Sequence, residues 1–314
     1  MPNWNMLYSI IYALAARDGR ESALFGDCAP LANRAFDRSL AGNAFPELWF
    51  ELPLAGDPWF DLHVLTDRDT LDGCALFPGE TPFHAKLFEW FARQSRDVRQ
   101  FALSYDLKSG DADQPAAQLL VRTEDPETTC SFLKAAERPD AADAYRAFRS
   151  RIPQGWFACY TGMFPHRPDV DLHVECIPQP DLQHAYARDA HLIETHLRQA
   201  GLAELGTALV PRCHELAKTP FKIEFQFEVS ADGTTGPTFG ASLRFACPPG
   251  EGDWEPFRAQ GDGGALMQMV ESWGLADDRW RLFEDATFAK RVAGGGQAMK
   301  IFNFPAFLKL RWRD

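Results

Sequence analysis

The chain has 314 residues, 46% of them apolar and 24% charged, with a net charge of −12. That is enough apolar material for a large core, in one domain or two, while the acidic balance opposes non-specific binding to nucleic acid or to an anionic membrane surface. Seven cysteines, an odd number without Cys-x-x-Cys spacing, read as reduced and mostly buried thiols of a cytoplasmic protein.

Prolines and glycines are scattered, and loops such as Gly110 to Pro115 are too short to act as linkers, so residues 1–314 are expected to form a single domain. Helical or mixed sequence runs from Trp4 to about Leu40. Its apolar stretch from Leu7 to Ala16 is too short to span a bilayer and is expected to pack as a helix. Glu47 to Leu54 and Trp59 to Thr66 follow as a strand pair around Gly56-Asp57-Pro58. His84 to Gln94 is helical by the spacing of Leu87, Trp90 and Phe91, and leads to strands Phe101 to Lys108 and Ala116 to Thr123.

Pro126 opens a third helical block carrying Phe132, Leu133, Ala136, Tyr145 and Phe148. Strands Trp156 to Met163 and Val170 to Cys176 come next. Asp181 is expected to cap a long helix with Ala185, Leu192 and Leu197, and a second helix covers about Leu205 to Ala217. Strands Phe221 to Val229 and Thr238 to Ala246 precede helices Ala265 to Trp273 and Arg279 to Arg291. The tail gives strands Met299 to Phe304 and Phe307 to Arg313 around Pro305.

Ten strand-like segments thus fall into five neighbouring pairs separated by helical sequence. Successive strand side chains point to opposite faces. In Phe221 to Glu228, Phe221, Ile223, Phe225 and Phe227 share one face, with Lys222, Glu224, Gln226 and Glu228 on the other. The same contrast sets Leu48, Phe50 and Leu52 against Glu47, Trp49 and Glu51, and Val170, Leu172 and Val174 against Asp171, His173 and Glu175. It sets Leu308, Leu310 and Trp312 against Lys309, Arg311 and Arg313. One architecture that satisfies this is a ten-stranded antiparallel barrel with helices outside and a polar lumen wide enough for a ligand. The other is an open antiparallel sheet with one solvated face. The fivefold spacing favours closure.

The segments Phe101-Ala-Leu-Ser-Tyr-Asp-Leu-Lys108, Leu119-Leu-Val-Arg-Thr-Glu-Asp-Pro-Glu127, Gly155-Trp-Phe-Ala-Cys-Tyr160 and Asp171-Leu-His-Val-Glu175, set in the five-block order, resemble the ABBA prenyltransferases, in particular their cyanobactin-type peptide prenyltransferases. The resemblance implies an α+β fold of ten antiparallel strands surrounded by a ring of helices. It implies that an isoprenyl diphosphate ionises within the barrel, that a nucleophile on a peptide or amino acid captures the allylic carbon, and that a carboxylate removes the proton. Magnesium is implied as a companion of the diphosphate. Glu47 falls closest to the family's catalytic glutamate, with Glu51 on the same face as the second candidate. Lys309 matches a basic residue opening the final strand, and Arg122 an arginine late in the fourth. The chain departs from the pattern at Asp61 and His63, near a usual arginine, at Gln118 in place of a lysine, and at Gln226 in place of the aromatic that limits isoprene length. Donor length and part of the diphosphate site are therefore left open.

By strand parity Arg122, Lys222, Arg244, Lys309 and Arg311 face inward and are candidate diphosphate donors, since charge-assisted hydrogen bonds in a sheltered site are about twice as strong as neutral ones. Trp49, Tyr160 and Phe302 are candidate walls for the allylic cation, each aromatic face worth ~0.5 to 2 kcal/mol. The same faces carry Glu47, Glu51, Asp61, Asp106, Asp171, Glu175, Glu224 and Glu228. Two carboxylates can clamp a planar guanidinium, so the acid excess points to a cationic acceptor, with Asp171, His173, Glu175, Glu224 and Gln226 as its contacts. Internal pairing of these acids with the inward Lys and Arg residues accounts for the excess equally well.

Three functions stay open on the sequence: prenyl transfer to an arginine-like guanidine nitrogen with Glu47 or Glu51 as base, C- or O-prenylation of an indole or phenol, and a non-catalytic peptide- or lipid-binding protein. No metal ligand set, no nucleic-acid partner and no membrane partner are expected. His191 and His196, five apart, are off the spacing of a metal site and read as surface residues. The glycine runs Gly261 to Gly264 and Gly294 to Gly296 lack the Lys-Ser/Thr of a phosphate loop. No Ser-His-Asp arrangement stands out.

Overall fold

The computed structural model describes residues 26–28, 47–66, 82–95, 98–106, 116–121, 125–164, 172–202, 204–245, 261–283, 288–294, 297–303 and 307–313. Apart from a short 3-10 turn at Gly26–Cys28, the helical stretch expected from Trp4 to Leu40 lies outside the described residues. The fold is α+β with antiparallel sheet. The chain divides into two compact units, Met1–Leu119 with Met267–Phe304, and Leu120–Leu266 with Pro305–Asp314.

In the first unit, β1 (Glu47–Glu51), β2 (Asp61–Thr66), β3 (Val98–Tyr105) and β4 (Ala116–Val121, which runs on into the second unit) follow one another in sequence order. Pairing sets Trp49 against His63 and Glu51 against Asp61 between β1 and β2. It sets His63 against Ser104 and Val64 against Leu103 between β2 and β3. Leu62, Val64, Phe101 and Leu103 form the apolar face. On it lies α1 (Pro82–Ala92), whose Phe88 and Phe91 rings meet Phe101 at 5.0 and 6.0 Å. The wide loop between β1 and β2 is tied down by a 3-10 helix, Asp278–Phe283: Asp277 N donates to Leu54 O at 2.8 Å, and the Arg279 guanidinium donates to Pro53 O and Gly56 O.

In the second unit, β5 (Trp156–Met163), β6 (Leu172–Pro178), β7 (Lys222–Val229), β8 (Thr235–Arg244) and β11 (Phe307–Arg313) are neighbours in that order. Helices α2 (Pro126–Ala135), α3 (Pro139–Arg149), α4 (Pro180–Tyr186), α5 (Ala190–Gln199) and α6 (Leu209–Ala217) connect or flank them. Each of the first three begins with a proline, whose missing N–H is no loss in a first turn. The Asp125 side chain accepts from Glu127 N to cap α2, and Asp189 accepts from His191 N to cap α5.

The apolar face of this sheet holds an aromatic cluster. Trp156 lies 5.0 Å from Phe225 and 5.9 Å from Phe227, Phe239 lies 5.4 Å from Phe227, and Phe148 of α3 reaches Phe227 at 5.3 Å. From α4, Tyr186 stands 6.1 Å from Phe225, and its neighbour Gln183 accepts from Ile223 N and donates to Phe221 O, locking the helix onto the start of β7. Gly233 turns β7 into β8 with φ +81, where a Cβ would also come 2.6 Å from that of Ala147.

Three expectations are corrected. Asp181 does not cap one long helix: it sits in the first turn of α4 behind Gln179 and Pro180, and Asp189 starts α5 separately. The helix expected over Arg279 to Arg291 is a 3-10 turn followed by β9 (Phe288–Gly294), because β9 finds a ladder partner in β10 (Gln297–Asn303). The tail therefore does not pair with itself as expected. Instead β9 and β10 form a separate two-stranded sheet, while β11 joins β8, with Lys309 opposite Ser242 and Arg311 opposite Gly240. Four cysteines, Cys130, Cys159, Cys176 and Cys213, are free and buried, as expected of thiols in a packed core. No helix among the described residues is long and apolar enough to cross a membrane.

Candidate functional site

The period of two that makes one face of the second unit's sheet aromatic gathers its polar side chains on the other. Lys222 stands opposite Arg244, Glu224 opposite Ser242, and Gln226 opposite Gly240. On β6, Glu175 stands opposite Gln226 and His173 opposite Glu228. Lys309 and Arg311 extend the same rows on β11. Tyr160 arrives on this face through a bulge at Cys159: the pairing passes from Ala158 with Cys176 to Tyr160 with Glu175, so the extra residue switches the strand's two faces. Without it, Tyr160 would share the helix-covered side with Trp156.

The centre of this face is a largely buried hydrogen-bonded set. Gln226 Nε2 donates to Glu175 Oε1 at 2.6 Å and to Ser242 Oγ at 2.5 Å. The residue opposite has no side chain, and that makes the room: a Cβ on Gly240 would lie 2.8 Å from Gln226 Oε1. Beside it the Arg244 guanidinium pairs with Glu224, Nε to Oε1 at 2.9 Å and a second nitrogen to Oε2 at 3.2 Å, with the Glu224 side chain only 2% exposed. Burial pushes the Glu224 carboxyl up, against the pull of Arg244, and the Glu175 charge adds to the rise. Burial works against the Arg244 charge, but the charges of Glu224 and Glu175 and the hydrogen bond to Glu224 act with others to hold the guanidinium above its ordinary range. His173 is 3.8 Å from the Glu175 carboxylate, with the rings of Tyr160 and Phe164 edge-on at 6.1 and 5.9 Å. The arrangement offers fixed carboxylate acceptors beside a row of cations, which suits a ligand carrying both signs of charge or two ligands of opposite sign.

The first unit has a polar face of its own. Glu51 and Trp49 of β1, Asp61 and His63 of β2 and Ser104 of β3 share it by register. His63 Nδ1 lies 2.6 Å from Ser104 Oγ, and its Nε2 lies 3.6 Å from Glu51 Oε2.

Of the residues expected at the site, His173, Glu175, Lys222, Glu224, Gln226, Arg244, Lys309 and Arg311 are thus on one face of one sheet, with Tyr160 among them. Glu51 and Trp49 belong to the first unit. Arg122 and Asp171 lie outside the described residues, as do the side chains of Glu47 on β1 and Phe302 on β10. Gln118, noted for replacing a lysine, is buried on β4. Sequence reasoning missed Ser242, Gly240 and Ser104. Parity with Arg244 and with Gln100 could have placed them on the polar faces, but nothing local marks a serine or glycine as a partner. His196 was expected at the surface. It is half-buried instead, because Trp156 Nε1 donates to Tyr186 Oη at 2.6 Å and that hydroxyl in turn meets His196 Nδ1 at 2.6 Å.

Among the described residues no group of three or more His, Cys, Asp or Glu side chains could hold a metal ion. Comparison with protein-family models and with curated proteins gives no match.

Proposed function

We propose that the protein is a prenyltransferase of the ABBA kind, moving a dimethylallyl or geranyl group from its diphosphate to a peptide or amino-acid-like acceptor, with an arginine-like guanidine nitrogen as the preferred nucleophile. The observation that carries the reading is the register that puts Lys222, Arg244, Lys309 and Arg311 on the same sheet face as Glu175 and Glu224, across four adjacent strands. Those cations suit the departing diphosphate, and the two carboxylates suit a guanidinium. Arg244 is bound to Glu224 in the resting protein, so a diphosphate would compete with that carboxylate for the guanidinium. The closed ten-stranded barrel, with Glu47 or Glu51 as the base and Trp49, Tyr160 and Phe302 as walls for the allylic cation, is part of the same proposal.

In the reaction, the bond between the allylic carbon and its diphosphate oxygen breaks with both electrons leaving on oxygen. The acceptor nitrogen supplies the pair for the new carbon–nitrogen bond, and its proton passes to a glutamate oxygen. Magnesium, where used, would be held by the diphosphate oxygens. Its chemistry there is to offset charge on the leaving group.

The test is incubation with five- and ten-carbon isoprenyl diphosphates and a panel of guanidine, indole and phenol acceptors, followed by intact-mass analysis and diphosphate release. A mass gain of one prenyl unit on the guanidine acceptor, lost in a Lys222→Ala/Lys309→Ala variant, is expected. Gain on the indole or phenol alone would move the acceptor assignment, and absence of diphosphate release with every acceptor would end the reading.

A further inference from the structure

Three strands of the first unit bring together a carboxylate, an imidazole and a hydroxyl that no local motif announces. His63 Nδ1 is in hydrogen-bond contact with Ser104 Oγ, its Nε2 faces Glu51 Oε2 at 3.6 Å, and that Nε2 is buried without a hydrogen-bond partner. The His63 and Glu51 side chains are 13% and 19% exposed, so the contact is mostly sheltered from water. Ser104 is 3% exposed and its hydroxyl is engaged by His63 Nδ1 at 2.6 Å, which makes it a partner for the ring rather than an attacking group.

A neutral imidazole carries one proton, and the hydroxyl can either donate or accept. If Ser104 accepted from Nδ1–H, the bare Nε2 lone pair would face a carboxylate oxygen in a place with little water, and two acceptors would repel one another. If Ser104 donates to Nδ1, the ring proton sits on Nε2 and faces Glu51. Electrostatics selects the second arrangement. The Glu51 carboxylate, 3.6 Å from Nε2, favours a proton on that side of the ring.

We propose that His63 is a positioning residue that orients Glu51 as the proton acceptor through its Nε2–H, with Ser104 setting the tautomer. The inference rests on the prenyl-transfer reading only for the identity of the proton donor, and within that reading it makes Glu51, not Glu47, the base. His63 keeps its proton throughout: the acceptor's N–H proton goes to the Glu51 carboxylate. The 3.6 Å separation is longer than a hydrogen bond, as catalytic contacts often are before substrate fills a site.

Two measurements test it on the full chain. Long-range 1H–15N NMR of the imidazoles, with the His63 signals assigned by their loss in His63→Gln, should show the Nε2–H tautomer. Its resonance should move in Glu51→Gln and in Ser104→Ala, and stay in place in Glu47→Gln. An Nδ1–H tautomer, or an Nε2–H signal indifferent to Glu51→Gln, overturns the proposal whether or not the protein turns over substrate. In the prenyl-transfer assay, His63→Leu should lower kcat about a hundredfold, the scale of a misplaced catalytic group, with the donor KM unchanged. His63→Gln, which retains an N–H donor, should recover part of that loss. A wild-type protein that releases no diphosphate ends the prenyl-transfer reading and leaves the tautomer result to decide this one. An active wild type with full turnover in His63→Leu, or with turnover lost in Glu47→Gln and kept in Glu51→Gln, sinks the positioning role.

Discussion

The Glu175 carboxylate fixes the orientation of the Gln226 amide, because only the amide nitrogen can face Oε1 at 2.6 Å. Reversing the amide would set two oxygens against each other at that distance. The choice turns Gln226 Oε1 towards Gly240, where it lies buried with no hydrogen-bond partner. Gly240→Ala would therefore drive a Cβ to within 2.8 Å of that oxygen and 3.1 Å of Gln226 Cβ. We expect a loss of about 1–3 kcal/mol, the range for overpacking, seen as a lowered denaturant midpoint. In a Gln226→Ala background the oxygen is gone and the cost should shrink. An equal cost in both backgrounds would show that the clash lies elsewhere.

The Glu224–Arg244 pair gives a second prediction. Removing one member of a buried pair leaves a charge without its counterion, and Arg244→Met should destabilise the protein by about 3 kcal/mol, the lower end for such pairs because the Arg244 side chain is 20% exposed. Glu224→Leu/Arg244→Met should recover most of that loss, since exchanging both partners for apolar side chains leaves nothing stranded. Chemical denaturation of the wild type, two single variants and the double variant measures the coupling; additive losses would mean that the two charges do not depend on each other.

Much of this face can be read from Phe221 to Glu228, where four apolar and four polar residues alternate without error and the structure puts them on opposite sides. The partners across the ladder cannot be read that way. Glu175 and Gln226 are 51 residues apart, and their meeting depends on a register set by the whole sheet. His63 and Ser104, 41 apart, meet for the same reason. Tyr160 belongs to the polar face only because of the bulge at Cys159, which has no local mark in Trp156 to Met163. The misread stretch after Arg279 has a different cause: Phe288 to Gly294 is a strand because β10 pairs with it, and pairing partners are invisible to a window of local spacing.

His196 sets a pH dependence of stability. Trp156 gives its indole N–H to the Tyr186 oxygen, which leaves the hydroxyl proton for His196 Nδ1, so the bonded ring is neutral. Burial holds the His196 pKa below its ordinary value in the folded protein. As pH falls through the unfolded value of about 6.5, the unfolded chain takes up a proton that the folded one resists. The contribution of this group is thus complete above that pH and declines below it until the folded pKa is passed. Thermal melts from pH 7.5 to 5.5 should show a midpoint that drops with acid, and His196→Gln should flatten the slope over that interval. An unchanged slope in the variant would assign the dependence to another group.

The buried thiols should be silent towards alkylating reagents. Burial pushes Cys213 up to about 12 and Cys176 higher still, and Cys130 and Cys159 are raised by the same cause, so little thiolate exists at neutral pH. Iodoacetamide followed by peptide mass mapping should leave these four unmodified in the native protein and label them all in denaturant. Rapid native labelling of any one would show that its surroundings open on the reagent's timescale.

The aromatic cluster should carry a large share of the second unit's stability. Phe227 is fully buried and touches the rings of Phe148, Trp156 and Phe239. Phe227→Ala should cost about 3–5 kcal/mol, read from equilibrium unfolding, whereas Phe227→Leu should lose much less; similar losses for the two would argue against a packed cluster at this position.

The pairing of β11 with β8 also bears on how the protein is made. While a ribosome is still synthesising residues 246–306, β8 has its β7 partner but lacks the strand that completes its other side. For that interval the nascent chain presents a bare row of amide and carbonyl groups along Thr235–Arg244, the kind of edge to which a neighbouring polypeptide can add. Shielding of this edge during translation then bears on the yield of folded molecules separately from the stability of the finished protein.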